Sequence, residues 1–255
     1  MITACSIGNN GRLGNQMFQY AALVGISCHK KYDFYSPADQ LFSLFDMKNM
    51  PREPPKFVNR RRISERMFCF DEQLFNQLPD EVDLFGYFQT RKYWQHCEKE
   101  ITEIFTFKEK PNQDTKEICE SSCFLHIRRT DYLNLPDYHT NLNFDYYNEA
   151  LKVIDPKRLL IFSDDVQWCK NTLCYNLETN AEILYANDVS DKDSTDMLLM
   201  SLCKDAIIAN SSFSWWGAYL GPQQNNGTIV APKKWFSHRG PQDFQDVYLP
   251  NWVTL

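Results

Sequence analysis

From Cys123 to the C-terminus, short apolar runs alternate with amphipathic stretches, and this alternation limits the fold more than any other feature. The runs at 123–127 (CFLHI), 159–162, 182–185, 206–209 and 228–231 read as strands. Each is close to apolar throughout, as a strand covered on both faces must be. Between them lie predicted helices at 145–154, 166–173, 195–203 and 211–221. In the first, Tyr146, Ala150 and Val153 fall at i, i+4 and i+7. The last closes on Gly221-Pro222, a helix stop. Strands alternating with helices in this way predict an α/β fold with a parallel sheet sandwiched between helices.

The N-terminal part repeats the theme less cleanly. Residues 2–7 read as a strand, followed by a Gly-rich turn and a helix with Met17, Ala21, Val24 and Cys28 along its apolar face. The stretch 35–111 is rich in Pro and aromatics, and there the sequence marks only a strand at 84–88 and a helix at 92–105. The polar segment 108–114 (KEKPNQD) is the expected linker. With 255 residues against a prior of about 150 per domain, the chain is read as two domains, 1–115 and 116–255.

Composition narrows the function classes. With 43% hydrophobic and 24% charged residues, the chain is neither disordered nor fibrous. Its 27 Lys and Arg against 33 Asp and Glu give a net charge of −6, which argues against nucleic acid as a partner. Any bound phosphate must therefore be met by a few local charges. Arg60-Arg61-Arg62, the one basic run, reads as a solvated face. No apolar run approaches the roughly 18 residues of a membrane span. The N-terminus reads as a strand rather than a signal peptide, and the nine cysteines lack any CxxC pair, so a reduced, cytoplasmic protein without a metal site is expected. Asp191-Lys192-Asp193 could clamp a divalent cation, but a polar loop with a helix cap is the favoured reading.

Four patterns carry possible chemistry, three of them at predicted strand ends, where open α/β sheets bind ligands. The first is His126-Ile127-Arg128-Arg129-Thr130-Asp131. Its two guanidiniums beside a carboxylate form either a surface ion-pair cluster or a phosphate clamp, since the Arg fork matches phosphate oxygens. The second is Asn210-Ser211-Ser212-Phe213-Ser214, where hydroxyls and free amides at a helix start suit an anion, or simply cap the helix. The third is Ser163-Asp164-Asp165. A carboxylate there can accept the two N–H donors of a guanine edge, or cap the following helix. The fourth is Gly11-Arg12-Leu13-Gly14-Asn15-Gln16 between the first strand and helix; no P-loop pattern occurs anywhere.

In this order the blocks GRLGNQMFQYAA (11–22), HIRRTDY (126–132), FSDD (162–165) and DMLLMSLCKDAIIANSSFSWWGAYL (196–220) resemble the α-1,2-fucosyltransferases of glycosyltransferase family 11. The resemblance covers nearly the whole chain. It implies a GT-B-like enzyme with two Rossmann-type domains and the donor site in the C-terminal one. The implied reaction is inverting, metal-independent transfer of L-fucose from GDP-β-L-fucose to the 2-hydroxyl of a terminal β-galactoside. The resemblance maps the phosphate-binding arginine onto Arg128; Asp131, the carboxylate nearest that clamp in sequence, is the candidate base, and His126, which could orient Arg128 or touch the ribose, completes the candidate catalytic set. The donor would be held by Arg128, Arg129, Asn15, Gly14, Asp164, Asp165, Ser211, Ser212 and Phe213. Asp131 could equally orient Arg129, with Asp137 as second candidate base, and His126 could be a satisfied strand-end residue. Trp215 and Trp216 could stack on a sugar or belong to the core. Alternatives of the same fold are a protein O- or α-1,6-type fucosyltransferase, and a non-catalytic carbohydrate-binding relic.

Overall fold

The computed structural model describes residues 1–53, 60–189 and 196–255, so Asp191-Lys192-Asp193 lies outside the described residues. The chain divides into two units. The first comprises Met1–Glu109 and Asp243–Leu249, the second Lys110–Gln242 and Pro250–Leu255.

The first unit is built on a four-stranded, all-parallel sheet. Its strands are β1 (Ile2–Thr3), β2 (Phe34–Tyr35), β3 (Arg61–Ser64) and β4 (Val82–Phe85), in the order β2-β1-β4-β3. The predicted strand at 2–7 is cut short because the chain turns after Thr3 into the glycine-rich loop. The basic run at 60–62 is partly an edge strand. Arg62 leans on Asp83 at 3.6 Å and over the Phe85 ring at 4.8 Å, both on the neighbouring strand. The predicted helix at 92–105 is two single turns, Arg91–Tyr93 and Gln95–Cys97, leading into a helix at Glu98–Ile104.

The helix Leu13–Lys30 is buried almost all round from Gln16 to Ser27. It ends at Lys31, in a left-handed conformation, with His29 and Lys30 in the last turn, where cations favour the dipole. Gly25 lets the helix press against the Arg91–Tyr93 turn: an added Cβ would lie 2.2 Å from the Tyr93 carbonyl oxygen.

The second unit holds a six-stranded parallel sheet: β5 (Cys123–Ile127), β6 (Arg158–Ser163), β7 (Glu182–Tyr185), β8 (Asp205–Ile207), β9 (Ile229–Ala231) and β10 (Val253–Thr254). The five strands expected from the apolar runs are present, and β10 is added at the edge. The order is β10-β9-β8-β5-β6-β7. The chain thus runs from β5 outward through β6 to β7, then crosses back to β8 and runs outward the other way. This is the doubly wound pattern, with its switch point between β5 and β8. Leu125, Ile127, Tyr147, Leu151, Ile161 and Ile207 form the heart of the core on one face. Trp215 and Trp216, in the helix Ser212–Leu220, are fully buried and pack on Tyr219, so they are core rather than a sugar platform. Among the described residues no helix is long and apolar enough to cross a membrane.

Candidate functional site

A doubly wound sheet leaves a crevice at the carboxyl ends of the two strands flanking its switch point. In the second unit these ends lead directly into Arg128-Arg129-Thr130 after β5 and Asn210-Ser211-Ser212 after β8. Asp164 and Asp165 follow β6, on the other side of β5.

Strand register decides what Arg128 meets. His126 pairs with Phe162 and Ile127 with Ser163, so the next residues, Arg128 and Asp164, emerge side by side. One Arg128 nitrogen donates to Asp164 Oδ2 at 2.7 Å; the other lies 2.5 Å from Asp131 Oδ1. The guanidinium also stands 5.4 Å from the Tyr132 ring centre. Two carboxylates and a ring thus fix a side chain only 15% exposed. Fixed orientation is what a charge needs to act on one atom of a ligand.

Asp164 holds the turn as well as the arginine. It accepts from the Arg129 amide at 2.9 Å, the Thr130 amide at 3.3 Å and the Thr130 hydroxyl at 2.6 Å, in addition to Arg128. Four donors match the roughly four acceptor positions of a carboxylate. Three of these donors fall on Oδ2 and one on Oδ1, so in this arrangement Asp164 organises the β5 turn. Asp165 caps the helix Val166–Asn171 through the Trp168 amide at 3.1 Å and accepts from Arg129 Nε at 3.2 Å. The Arg129 guanidinium carbon stands over Trp168, 3.6 Å from the ring centre. The partner of Asp131 is therefore Arg128, not Arg129, because the helical turn Thr130–Leu133 carries Asp131 back over Arg128 at i+3.

His126 is buried on β5, with its ring centre 6.0 Å from that of Phe213. Burial, and then the charge of Arg128, push its pKa down to about 3, although Asp164 opposes the shift. It is a neutral imidazole, and its Nδ1 is buried without a hydrogen-bond partner among the described residues. Ser211 caps the helix Ser212–Leu220, accepting from the Phe213 amide at 3.3 Å. That helix has no acid in its first turn, so its N-terminal partial charge is not neutralised by a side chain of its own. Asn210 is locked by its amide donating to the carbonyls of Thr140 and Trp235.

Two residues escaped the sequence reading. Tyr132 donates from its hydroxyl to the Asn210 carbonyl at 2.9 Å, tying the β5 turn to the β8 turn, and its ring stacks on His139 at 3.8 Å. Burial lowers the pKa of His139, with Asp131 opposing and Arg128 assisting. Tyr132 stood in a motif whose charged members drew attention; His139 has no periodic or motif signal at all. Asp137 pairs with Arg239 at 3.7 Å.

Gly14 and Asn15 belong to the first unit. Gly11, at φ 87°, takes a left-handed conformation, and its missing Cβ makes room for the Asn15 side chain, which a Cβ would meet at 2.6 Å. Asn15 Oδ1 accepts from Gln89 at 2.8 Å. Gln16 and Gln19 donate to the Gly11 and Asn10 carbonyls, pinning the loop to the start of the helix. That helix likewise has no acid in its first turn.

A family model described as Glycosyl transferase family 11 matches residues 2–255. The O-antigen biosynthesis glycosyltransferase WbnK of Escherichia coli is 37% identical over 153 residues, a match spanning 55% of this chain and 47% of that protein. An alpha-1,2-colitosyltransferase of Escherichia coli is 27% identical over 286 residues, 96% of each chain. Galactoside alpha-(1,2)-fucosyltransferase 2 of Pongo pygmaeus is 24% identical over 233 residues, covering 82% of this chain and 67% of that one. Among solved structures, a mutant of Arabidopsis thaliana FUT1 in complex with GDP has a TM-score of 0.51 at 9% identity, over 90% of this chain and 69% of that one. The likeness is one of fold, two parallel-sheet α/β units in keeping with a GT-B-like architecture.

Proposed function

The chain belongs to glycosyl transferase family 11, and from that premise we propose that it transfers L-fucose from GDP-β-L-fucose to the 2-hydroxyl of a terminal β-galactoside during glycan synthesis. The observation that carries the reading is Arg128, fixed by Asp164 and Asp131 at the carboxyl edge of β5 beside the sheet's switch point. The galactoside fucosyltransferase activity named for relatives and the GDP bound by a protein of like fold support the same choice.

In this reading the bond between C1 of fucose and the β-phosphate oxygen breaks, leaving charge on the phosphate while the sugar becomes oxocarbenium-like. Arg128 meets that charge, with Arg129 nearby and the Ser211-Ser212-Phe213 helix start completing the cradle. These groups do the work for which other transferases use a cation. His126, neutral and with an unbonded ring nitrogen, is assigned to a hydroxyl of the donor. The acceptor hydroxyl attacks from the face opposite GDP, inverting the anomeric centre, and Asp131 takes its proton. An ion-paired carboxylate is a weak base, yet it suffices once the hydroxyl has begun to bond to a cationic carbon and turned acidic. Asp165 serves by holding Arg129 and the helix after β6; Asp164 is a positioning residue for Arg128.

The direct test offers GDP-fucose and lactose to the purified protein in excess EDTA. An α-1,2-linked fucosyl product at undiminished rate is expected. A β-linked product, or a strict need for Mn²⁺, would overturn the inverting, metal-independent mechanism. The match along 96% of both chains with a colitosyltransferase favours one variant reading, with a colitosyl donor. Colitose is fucose without its 3-hydroxyl, so running both donors side by side decides between them.

Asp164 has its own signature. Asp164→Asn replaces one acceptor oxygen by an amide, removing a charge-assisted bond worth about 1.5–3 kcal/mol. We expect kcat to fall about 10–100-fold with a smaller change in acceptor KM, and Asp164→Glu to recover part of it. Equal loss in both variants with a collapsed Tm would assign Asp164 to folding alone.

A further inference from the structure

The first unit gathers soft ligands at a place the transfer reaction does not use. Cys28 lies in the last turn of the helix Leu13–Lys30, while His96 and Cys97 form the single turn Gln95–Cys97. Gly25 lets the helix close on Tyr93 and Trp94, which lead into that turn, and His96 Nε2 is tied to the Gly25 carbonyl at 3.1 Å. As a result the two sulfurs and a ring nitrogen of His96 all lie within 4.8 Å of one another. Both cysteines are free thiols, Cys28 exposed and Cys97 partly so. Tetrahedral zinc has bonds of about 2.3 Å to sulfur and about 2.0 Å to nitrogen, which sets its ligands roughly 3.5 Å apart. The observed cluster, within 4.8 Å, exceeds that spacing by little more than 1 Å.

From this geometry we propose that Cys28, His96 and Cys97 bind one zinc-class cation, with water in the fourth position. Sulfur and imidazole select zinc, copper or a related thiophilic ion over magnesium or calcium. On binding, each thiol gives up its proton to solvent, so two protons leave per metal. The nearby His29 is held by stacking on Phe75 at 4.2 Å. The hydrogen bond from His96 to a carbonyl is the kind of outer contact that fixes a histidine ligand.

The bound ion is a staple, not a reagent. Asn15 and Cys28 are thirteen helical steps apart, about 20 Å along the axis. Asn15 stands at the end of the helix that leaves the carboxyl edge of the sheet, where such folds bind ligands; Cys28 stands at the opposite end. The metal would pin the end of the helix to the turn that starts Glu98–Ile104. Sequence spacing hides it, since Cys28 and Cys97 form no paired motif.

The test uses the full chain, reduced with a phosphine and freed of metal, titrated with Zn²⁺ and with Co²⁺ alone. One equivalent bound, two protons released, a thiolate-to-cobalt charge-transfer band and a Tm raised by several degrees are expected. Cys28→Ser, at an exposed position, should abolish all four; His96→Gln should weaken binding at least tenfold; Cys174→Ser should change nothing. Zinc binding unchanged in Cys28→Ser, or no cobalt–thiolate band in the parent protein, would overturn the proposal. Fucosyl transfer at low temperature reads the other site separately, because stripping this metal is expected to lower heat stability and leave kcat intact.

Discussion

Arg128→Ala is expected to reduce kcat by about 10²–10³, the cost of removing one preorganised donor from a developing anion, roughly 2.7–4 kcal/mol. The protein should stay folded. Asp164 would keep three of its four donors, the Arg129 amide and the amide and hydroxyl of Thr130, so the β5 turn survives. Asp131 is 43% exposed and would be left to solvent rather than buried unpaired. Arg128→Lys is expected to recover little, because an ammonium cannot bridge Asp164 and Asp131 while also facing a phosphate. Steady-state kinetics with saturating GDP-fucose, alongside a thermal melt, would decide. A turnover within threefold of the parent would remove Arg128 from the transition state, and with it the central assignment.

How much of this was legible from the residues follows from burial. The strands β5, β6, β8 and β9 announce themselves because both of their faces are covered, so every position must be apolar. Strand β7 was found by its position between helices as much as by its composition. The strands β2 and β10 have two residues each and sit at sheet edges, and β3 exposes both of its arginines; no periodicity can develop over so short or so open a run. The ligand crevice was readable for a related reason: its residues follow buried strands directly. What each carboxylate does there was not readable. Whether Asp164 faces a ligand or Arg128 depends on the pairing of Ile127 with Ser163, a fact of register between segments 36 residues apart. The same holds for Asp131, whose partner was decided by a single helical turn, and for Cys28 with Cys97, brought together where Gly25 lets the helix close on Tyr93 and Trp94.

Acid stability offers a second large effect, visible only by comparing variants. His126 has a pKa of about 3 in the folded protein, first because it is buried and next because of Arg128, against an ordinary 6.5. The unfolded chain therefore binds a proton between pH 6.5 and 3 that the folded chain refuses. Its contribution is fully favourable above the upper limit and is lost as pH falls through the window, about 3–5 kcal/mol in all. Glu65 works the other way. Burial raises its pKa to about 7 from 4.5, opposed by the Tyr87 and Phe88 amides it accepts from, so the folded form holds a proton the unfolded form releases. Its contribution is full at low pH and is lost as pH rises through about 7. Between about pH 7.5 and about pH 5 each group changes stability by roughly 2 kcal/mol in opposite senses, so in the parent protein these two contributions nearly cancel each other. The variants expose the cancellation. His126→Gln is expected to gain about 2 kcal/mol relative to the parent on moving to the lower pH, and Glu65→Gln to lose about as much, whatever constant cost each substitution carries. Urea unfolding at the two pH values measures both differences. Parallel pH profiles for the parent and His126→Gln would mean that the imidazole is not shielded as its burial on β5 requires.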